Sequence, residues 1–307
     1  MLSGIDPTSQ QTLDSINLIQ QRLNSLQAQI SSGIRINRAS DDPSVLADVF
    51  QTRSDLAHVQ QVQKNLSAVQ TEAQTADTTL QQAVQLVQSA SVLASQGANS
   101  LTAASDRTQL SAQVSGILSQ LVSDANAEVN GQFIFSGDQP TSAPYQLDPT
   151  NLVTGTQQLV TAPSTRLIQD ANGVTFAPAL TAQQIFDVRD SSNNPTTGNV
   201  FAAIQGLINA LNADDPTQVS NSITALNQAG TYLNQQLAFY GDVQNRITTA
   251  QSIAQTYQTN DTQTLSKLQD ADVASDAIQL TQLNTQLNAS LGAASKMRTS
   301  SLFDYLK

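Results

Sequence analysis

Cysteine and tryptophan are absent from this 307-residue chain, and histidine occurs once, at His58. Without a thiol there is no disulfide framework, no thiolate metal site and no cysteine nucleophile. A lone histidine between Ala57 and Val59 excludes a two-histidine metal motif of the HExxH kind. It reads instead as a solvated or packed helical residue. Basic residues number 13 against 24 acidic ones, a net charge of -11 with no basic run, which argues against nucleic acid as a partner. No continuous apolar window is long enough to cross a bilayer, and no positive segment followed by an apolar run opens the chain. Membrane insertion is not expected, and if the protein leaves the cell it is expected to do so without a cleaved signal peptide. There is no Walker loop, no GxGxxG and no GxSxG elbow, so neither a cofactor nor a catalytic residue is assigned.

Charge of either sign is sparse, at 12% of residues against the usual quarter or so. Gln, Ser, Thr and Asn fill the faces that charges normally occupy. Such neutral polar faces suit packing against other subunits, because interfaces deplete charge at their cores. The paired acids Asp41-Asp42, Asp214-Asp215 and Asp270 with Asp272 fall where helices begin or bend, and capping explains them better than acid-base chemistry. Asp138, Asp148, Asp170, Asp187 and Asp190 lack the regular alternation of a calcium loop.

What the chain does contain is heptad spacing. Val59, Val62, Leu66, Val69, Ala73, Ala76, Leu80, Ala83, Val87, Ala90, Ala94 and Gly97 step by threes and fours without a gap. The implied helix is about 60 Å long and needs partner helices along its length. A candidate partner runs through Val219, Ile223, Leu226, Gly230, Leu233, Leu237, Tyr240, Gln244, Ile247, Gln251 and Ala254, with polar interruptions near its end. Leu46, Val49, Arg53 and Leu56 lead into the first seam, with a stammer at Leu56 to Val59. Asp42-Pro43 is read as the cap and first turn of that helix. Leu110, Val114, Ile117, Leu121 and Ala125 predict a hairpin partner whose helical character stops at Asn130-Gly131.

Shorter helices flank this pair. Ile16, Ile19, Leu23, Leu26 and Ile30 form one stripe ending at Gly33, and Val273, Ala277, Leu280, Leu283, Leu287, Leu291 and Ala294 form another, beginning after Thr259-Asn260-Asp261. Between Gly131 and Val200 lie six of the nine prolines and five of the thirteen glycines, a density that helices do not survive. Arg166–Gln169 and Val174–Phe176 around Asn172-Gly173 predict a β-hairpin there. The fold class expected is mainly α: a long antiparallel coiled-coil bundle built from both chain ends, with a small β-rich insert. The divisions are residues 1–44 with 260–307, 45–130 with 200–259, and 131–199. The two terminal segments are expected to be disordered in the free monomer, because short helices are marginal alone.

Three motifs resemble the bacterial flagellins and flagellin-like hook-associated proteins. Gln29-Ile30-Ser31-Ser32-Gly33-Ile34-Arg35-Ile36-Asn37-Arg38-Ala39-Ser40-Asp41-Asp42-Pro43 is similar to the family's N-terminal signature, with Ile34 where a basic residue is usual. Gly241-Asp242-Val243-Gln244-Asn245-Arg246-Ile247 resembles its G-x-x-x-N-R pattern, and Asp270-Ala271-Asp272-Val273-Ala274 its entry into the last helix. Within the family, Gly131-Gln132-Phe133-Ile134-Phe135-Ser136-Gly137 and the ending Ser301-Leu302-Phe303-Asp304-Tyr305-Leu306 resemble the subunits between hook and filament.

The resemblance implies a non-enzymatic, extracellular structural subunit of the flagellum, exported by the type III apparatus and joining hook to filament. The alternatives are a filament flagellin or, further off, an enzyme-bearing flagellin-like protein. Implied partners are further copies of the chain, a hook-associated protein on the hook side, flagellin on the filament side, and an export chaperone. The family plan puts paired terminal helices in an inner tube. Ile16, Ile19, Leu23, Leu26, Ile30, Leu280, Leu283, Leu287 and Leu291, with the apolar tip Leu302, Phe303 and Leu306, are the expected assembly surface, open in the free subunit.

Overall fold

The computed structural model describes residues 7–297. Leu302, Phe303 and Leu306 therefore lie outside the described residues. The chain divides into two compact units: residues 59–256, and the described parts of 1–58 and 257–307.

The larger unit is organised by two long helices, α2 (Leu46–Gly97) and α6 (Pro216–Gln269), each of which also extends into the smaller unit. All twelve positions of the α2 seam are buried, with Leu66 and Leu80 fully enclosed. Burying each such leucine contributes about 1.5–3 kcal/mol. Cross-helix bonds fix an antiparallel pairing: Gln63 donates to Gln255 at 3.5 Å, Gln251 to Gln70 at 2.9 Å, and the Gln244 amide to the Ala73 carbonyl at 3.5 Å.

The register of α6 differs from the expected one. Its buried line is Val219, Ser222, Leu226, Ala229, Leu233, Tyr240, Val243, Ile247, Ala250 and Ala254. Ile223, Gly230, Gln244 and Gln251 sit half-buried at the flank. The polar interruptions thus disappear: the glutamines lie beside the seam, where their amides bridge to α2. Arg53 is likewise exposed, while Thr52 is half-buried in its place.

Helix α3 (Ala104–Ala125) follows α2 after a turn clamped by Arg107. This guanidinium is buried; it donates to the Gly97 carbonyl at 2.8 Å and the Asn99 carbonyl at 2.8 Å, and pairs with Asp214 at 2.5 Å. It satisfies carbonyls that the end of α2 leaves open. The turn before α6 follows the sequence expectation, with the Asp215 carboxylate accepting the N–H groups of Thr217 and Gln218. In the last turn of α3, Asp124 is buried without a cation, and its Oδ2 has no hydrogen-bond partner. Burial pushes its carboxyl up from 3.8 to about 6.

Helix α3 ends at Ala125, earlier than expected. Asn130-Gly131 is instead the two-residue turn, φ 54° and 75°, of a hairpin between β1 (Glu128–Val129) and β2 (Gln132–Phe133). Two further hairpins follow: β3 (Tyr145–Leu147) with β4 (Thr156–Gln158), and β5 (Ile168–Gln169) with β6 (Thr175–Phe176) around the Asn172-Gly173 turn. Helices α4 (Ala182–Phe186) and α5 (Val200–Asn212) close the insert. Its aspartates serve loops: Asp148, Asp170 and Asp190 each accept N–H groups of their own turns.

The insert is fastened to the long helices by aromatic side chains. Phe135 is buried edge-on against both Phe186 and Tyr240, at centroid distances of 6.1 and 6.3 Å. The Tyr240 hydroxyl accepts the Leu180 N–H at 3.1 Å, and the Tyr232 hydroxyl donates to the Gln184 carbonyl at 2.7 Å. These tyrosines serve packing and attachment.

Candidate assembly interface

The smaller unit is held by α1 (Pro7–Ser32) and α7 (Val273–Met297). Helix α7 begins beside the end of α1, where Ile34 bridges Asp270 in antiparallel fashion, and runs back along it. Ile16, Leu23 and Leu26 are buried within the single chain and Ile19 and Ile30 are half-buried, which corrects the expectation that they lie open. The reason is geometric: α7 already covers this stripe. On α7 the stripe is less enclosed, with Leu280, Leu283 and Leu287 half-buried and Leu291 47% exposed. Leu13, Leu18, Val273 and Ile278 are exposed as well, so the pair carries apolar surface beyond its own seam.

The N-terminal signature forms a clasp at one end of this pair. Gly33 takes φ 69°, the left-handed conformation of a helix stop, and its N–H reaches the Gln29 carbonyl at 2.8 Å. The Arg35 N–H donates to the Gln269 carbonyl at 2.6 Å, and the Ala271 N–H to the Gly33 carbonyl at 3.0 Å. The Arg35 guanidinium spans Asp42 and the Leu268 carbonyl, both at 2.8 Å. The Asp41 carboxylate accepts the N–H groups of Asn37 at 2.9 Å and Arg38 at 2.7 Å, while the Asn37 amide donates to the Ile34 carbonyl at 2.7 Å. The signature therefore ties the end of α1 to the end of α6.

Asp42 and Pro43 do not start α2, which begins three residues later at Leu46. The Asp42 carboxylate is held low by the Ser44 hydroxyl and by Arg35, so it is already engaged and does not cap. Similarly, α6 runs through Thr259-Asn260-Asp261 to Gln269; α7 starts only after Asp272, whose carboxylate accepts the Ser275 N–H. Neither shift was readable from spacing, because an aspartate paired with arginine looks the same in sequence as one that caps.

The other motif residues lie in the larger unit. Phe133 is half-buried and Phe135 buried at the insert hinge; Gly137, at φ 63°, brings its Cα so close that an added Cβ would meet the Pro163 carbonyl oxygen at 2.5 Å. Gly131 supplies the hairpin turn. On α6, Gly241 is half-buried, Asn245 is exposed, and Arg246 pairs with Asp242 one turn earlier at 2.8 Å, both largely solvated. His58 is exposed. Asp187, fully buried, accepts from the Tyr145 hydroxyl at 3.0 Å, Arg189 at 3.0 Å and the Asn199 amide at 2.7 Å, a network that spacing alone did not reveal.

Family comparison matches residues 7–140 to the bacterial flagellin N-terminal helical region and residues 223–306 to the bacterial flagellin C-terminal helical region. The chain belongs to the bacterial flagellin family. Among its relatives, the flagellar filament 33 kDa core protein of Treponema phagedenis is 26% identical, aligned over 97% of this chain and 96% of its own length. Flagellar hook-associated protein 3 of Escherichia coli is 25% identical over 91% of each. Among solved structures, a flagellar hook-associated protein of Vibrio parahaemolyticus superposes with a TM-score of 0.64 at 20% identity, covering 75% of this chain and 100% of that one. Hook-associated protein 3 of Legionella pneumophila gives 0.60 at 15% identity, covering 72% and 98%. These neighbours share the flagellin-family fold.

Proposed function

We propose that this chain is the structural, non-catalytic subunit joining hook to filament in the bacterial flagellum. The observation that carries this reading is the pinned insert: the Gly131–Gly137 hinge, with Phe135 locked between Phe186 and Tyr240, belongs to a fold shared with hook-associated proteins over nearly their whole length. The similarity to hook-associated protein 3 along 91% of the chain supports it. Neighbouring copies pack through the α1–α7 pair, whose outer face keeps Leu18, Ile278 and Leu291 exposed. A hook-associated protein meets the ring on the hook side and flagellin meets it on the filament side. An export chaperone covers the terminal apolar surface before assembly, including Leu302, Phe303 and Leu306. The 26% identity to a filament core protein favours a second reading, a filament flagellin.

Electron microscopy of the purified protein under precipitating salt, alone and with short filament seeds, separates the two. A junction subunit adds to flagellar ends and makes no long filament by itself; long self-made filaments would establish the filament reading. Leu287→Asp places a charge in the half-buried α7 stripe. Incorporation at flagellar ends is expected to fall at least tenfold while the melting transition of the long-helix unit stays within a few degrees of wild type. Normal incorporation of this variant would remove the α1–α7 pair from the assembly surface.

A further inference from the structure

Eight arginines lie among the described residues, and six of them are bonded within the chain: Arg35, Arg53, Arg107, Arg166, Arg189 and Arg246. Arg22 and Arg38 have no side-chain partner among the described residues, and both belong to the smaller unit. Arg38 borders an open cleft of about 450 Å³ between α1, which contributes Gln21, Asn24 and Ser25, and the clasp loop, which contributes Asn37 and Asp41. The loop is built to hold Arg38 in place, since Asp41 accepts the Arg38 N–H at 2.7 Å and the Asn37 N–H at 2.9 Å. Those two N–H groups engage the Asp41 carboxylate on the loop side of the cleft. The guanidinium itself is left over. Gln21 and Asn24 add amide donors that make no hydrogen bond within the described chain.

We propose that this cleft receives a carboxylate-bearing segment of a second copy of the chain. A guanidinium flanked by two amides can give a carboxylate two parallel N–H bonds and further donors beside them. Copies of the chain are suited to supply that carboxylate: residues 59–256 carry thirteen acidic against five basic residues, and four of those five, all arginines, are already bonded internally. Glu128, exposed and with its carboxylate unbonded among the described residues, is one such free acid. Each copy thus presents an unpaired guanidinium in an open cleft and an acid excess elsewhere, a head-to-tail complementarity that can repeat around a closed ring. This inference rests on the structural-subunit reading above, and it separates two arginines of one signature: Arg35 acts within the chain, Arg38 between chains.

The test compares wild type with Arg38→Glu, Arg38→Lys and Leu287→Asp for monomer melting and for incorporation at the ends of isolated hooks and filaments. Arg38→Glu is expected to melt within about two degrees of wild type, because no described contact is lost, and to incorporate at least tenfold less; Arg38→Lys keeps most of the incorporation. In a second arm, Arg38→Cys, the sole cysteine of the chain, carries a benzophenone label and is irradiated in the assembled state. Adducts of dimer mass through an acidic segment support the proposal. Adducts confined to hook or filament proteins overturn it. Normal incorporation of Arg38→Glu beside failure of Leu287→Asp also overturns it while leaving the structural reading intact, and a monomer unfolded by Arg38→Glu makes the residue one of folding. Failure of wild type to add to any flagellar end overturns both.

Discussion

Asp124→Asn is expected to raise the stability of the folded chain at pH 7.5 by about 1–3 kcal/mol and to abolish a fall in stability between about pH 4 and pH 6. The wild-type carboxyl is buried in the last turn of α3, its Oδ2 unbonded, and burial lifts it from 3.8 to about 6. No cation among the described residues pairs with it. Helix α5, packed on α3, contains no ionisable residue, and β3 offers only Tyr145, whose hydroxyl is given to Asp187. The negative end of the helix dipole adds to the cost of an anion there. The sign follows from proton binding. Below pH 3.8 both states hold the proton and there is no penalty; between 3.8 and about 6 the unfolded chain releases it first, so stability falls as pH rises. Above that window the penalty is constant, about 3 kcal/mol at most, and the amide avoids it while keeping some desolvation cost of its own. Asp42, Asp148 and Asp190 are held below the usual value by hydrogen bonds, so their contributions change only below about pH 4. Urea denaturation at pH 5.2 and 7.5 checks the prediction. A wild-type protein equally stable at both, or a variant that tracks it, would show that Asp124 is not the origin.

Asp124 also marks the boundary of what residue patterns convey. The α2 stripe was legible because its side chains are aliphatic at every third or fourth position, and all twelve are buried. The α6 stripe departs from the expected spacing at alternate steps: its seam takes Ser222 over the more apolar Ile223 and Ala229 over the equally small Gly230, and from there the register carries on to Val243 and Ala250 rather than Gln244 and Gln251. There the close approach of the partner helix decides which residue faces inward, and it favours the smaller side chain at Ser222 and Ala250. The clasp was legible only as a resemblance. That Arg35 pairs with Asp42 and reaches the Leu268 carbonyl depends on bringing together residues 233 apart in the chain. The insert was foreseen from its prolines and glycines, and the Asn172-Gly173 hairpin from its turn. Its interior was not foreseen: Tyr145, Phe186 and Phe201 come from separate segments with no common period. Asp187 stands in the sequence as one of five insert aspartates with nothing to set it apart, because composition cannot tell a solvated aspartate from one that three donors enclose.

Asp187→Ala is therefore expected to cost about 3–5 kcal/mol, the usual consequence of removing one member of a buried ionic network. Three groups lose an acceptor: the Tyr145 hydroxyl is left with none, while the Arg189 guanidinium keeps the Asn193 carbonyl and the Asn199 amide the Val188 carbonyl. Asn199 is also the N-cap of α5, accepting the Ala202 N–H at 2.9 Å, so the loss extends to the start of that helix. Tyr145→Phe is the control. It removes one donor from a carboxylate that keeps two, at an expected cost of about 0.5–1.5 kcal/mol. With no tryptophan in the chain, tyrosine emission and helical circular dichroism report the transition, and hydrogen exchange locates it. Exchange is expected to quicken in β3, α4 and the first turns of α5 while the α2 and α6 seams stay protected, because those seams bury their own side chains against each other. Uniform loss of protection along α2 would mean that the insert and the long helices unfold as one cooperative body; in that case Asp187 would stabilise the long-helix unit as a whole, and the insert would be part of what keeps the bundle closed.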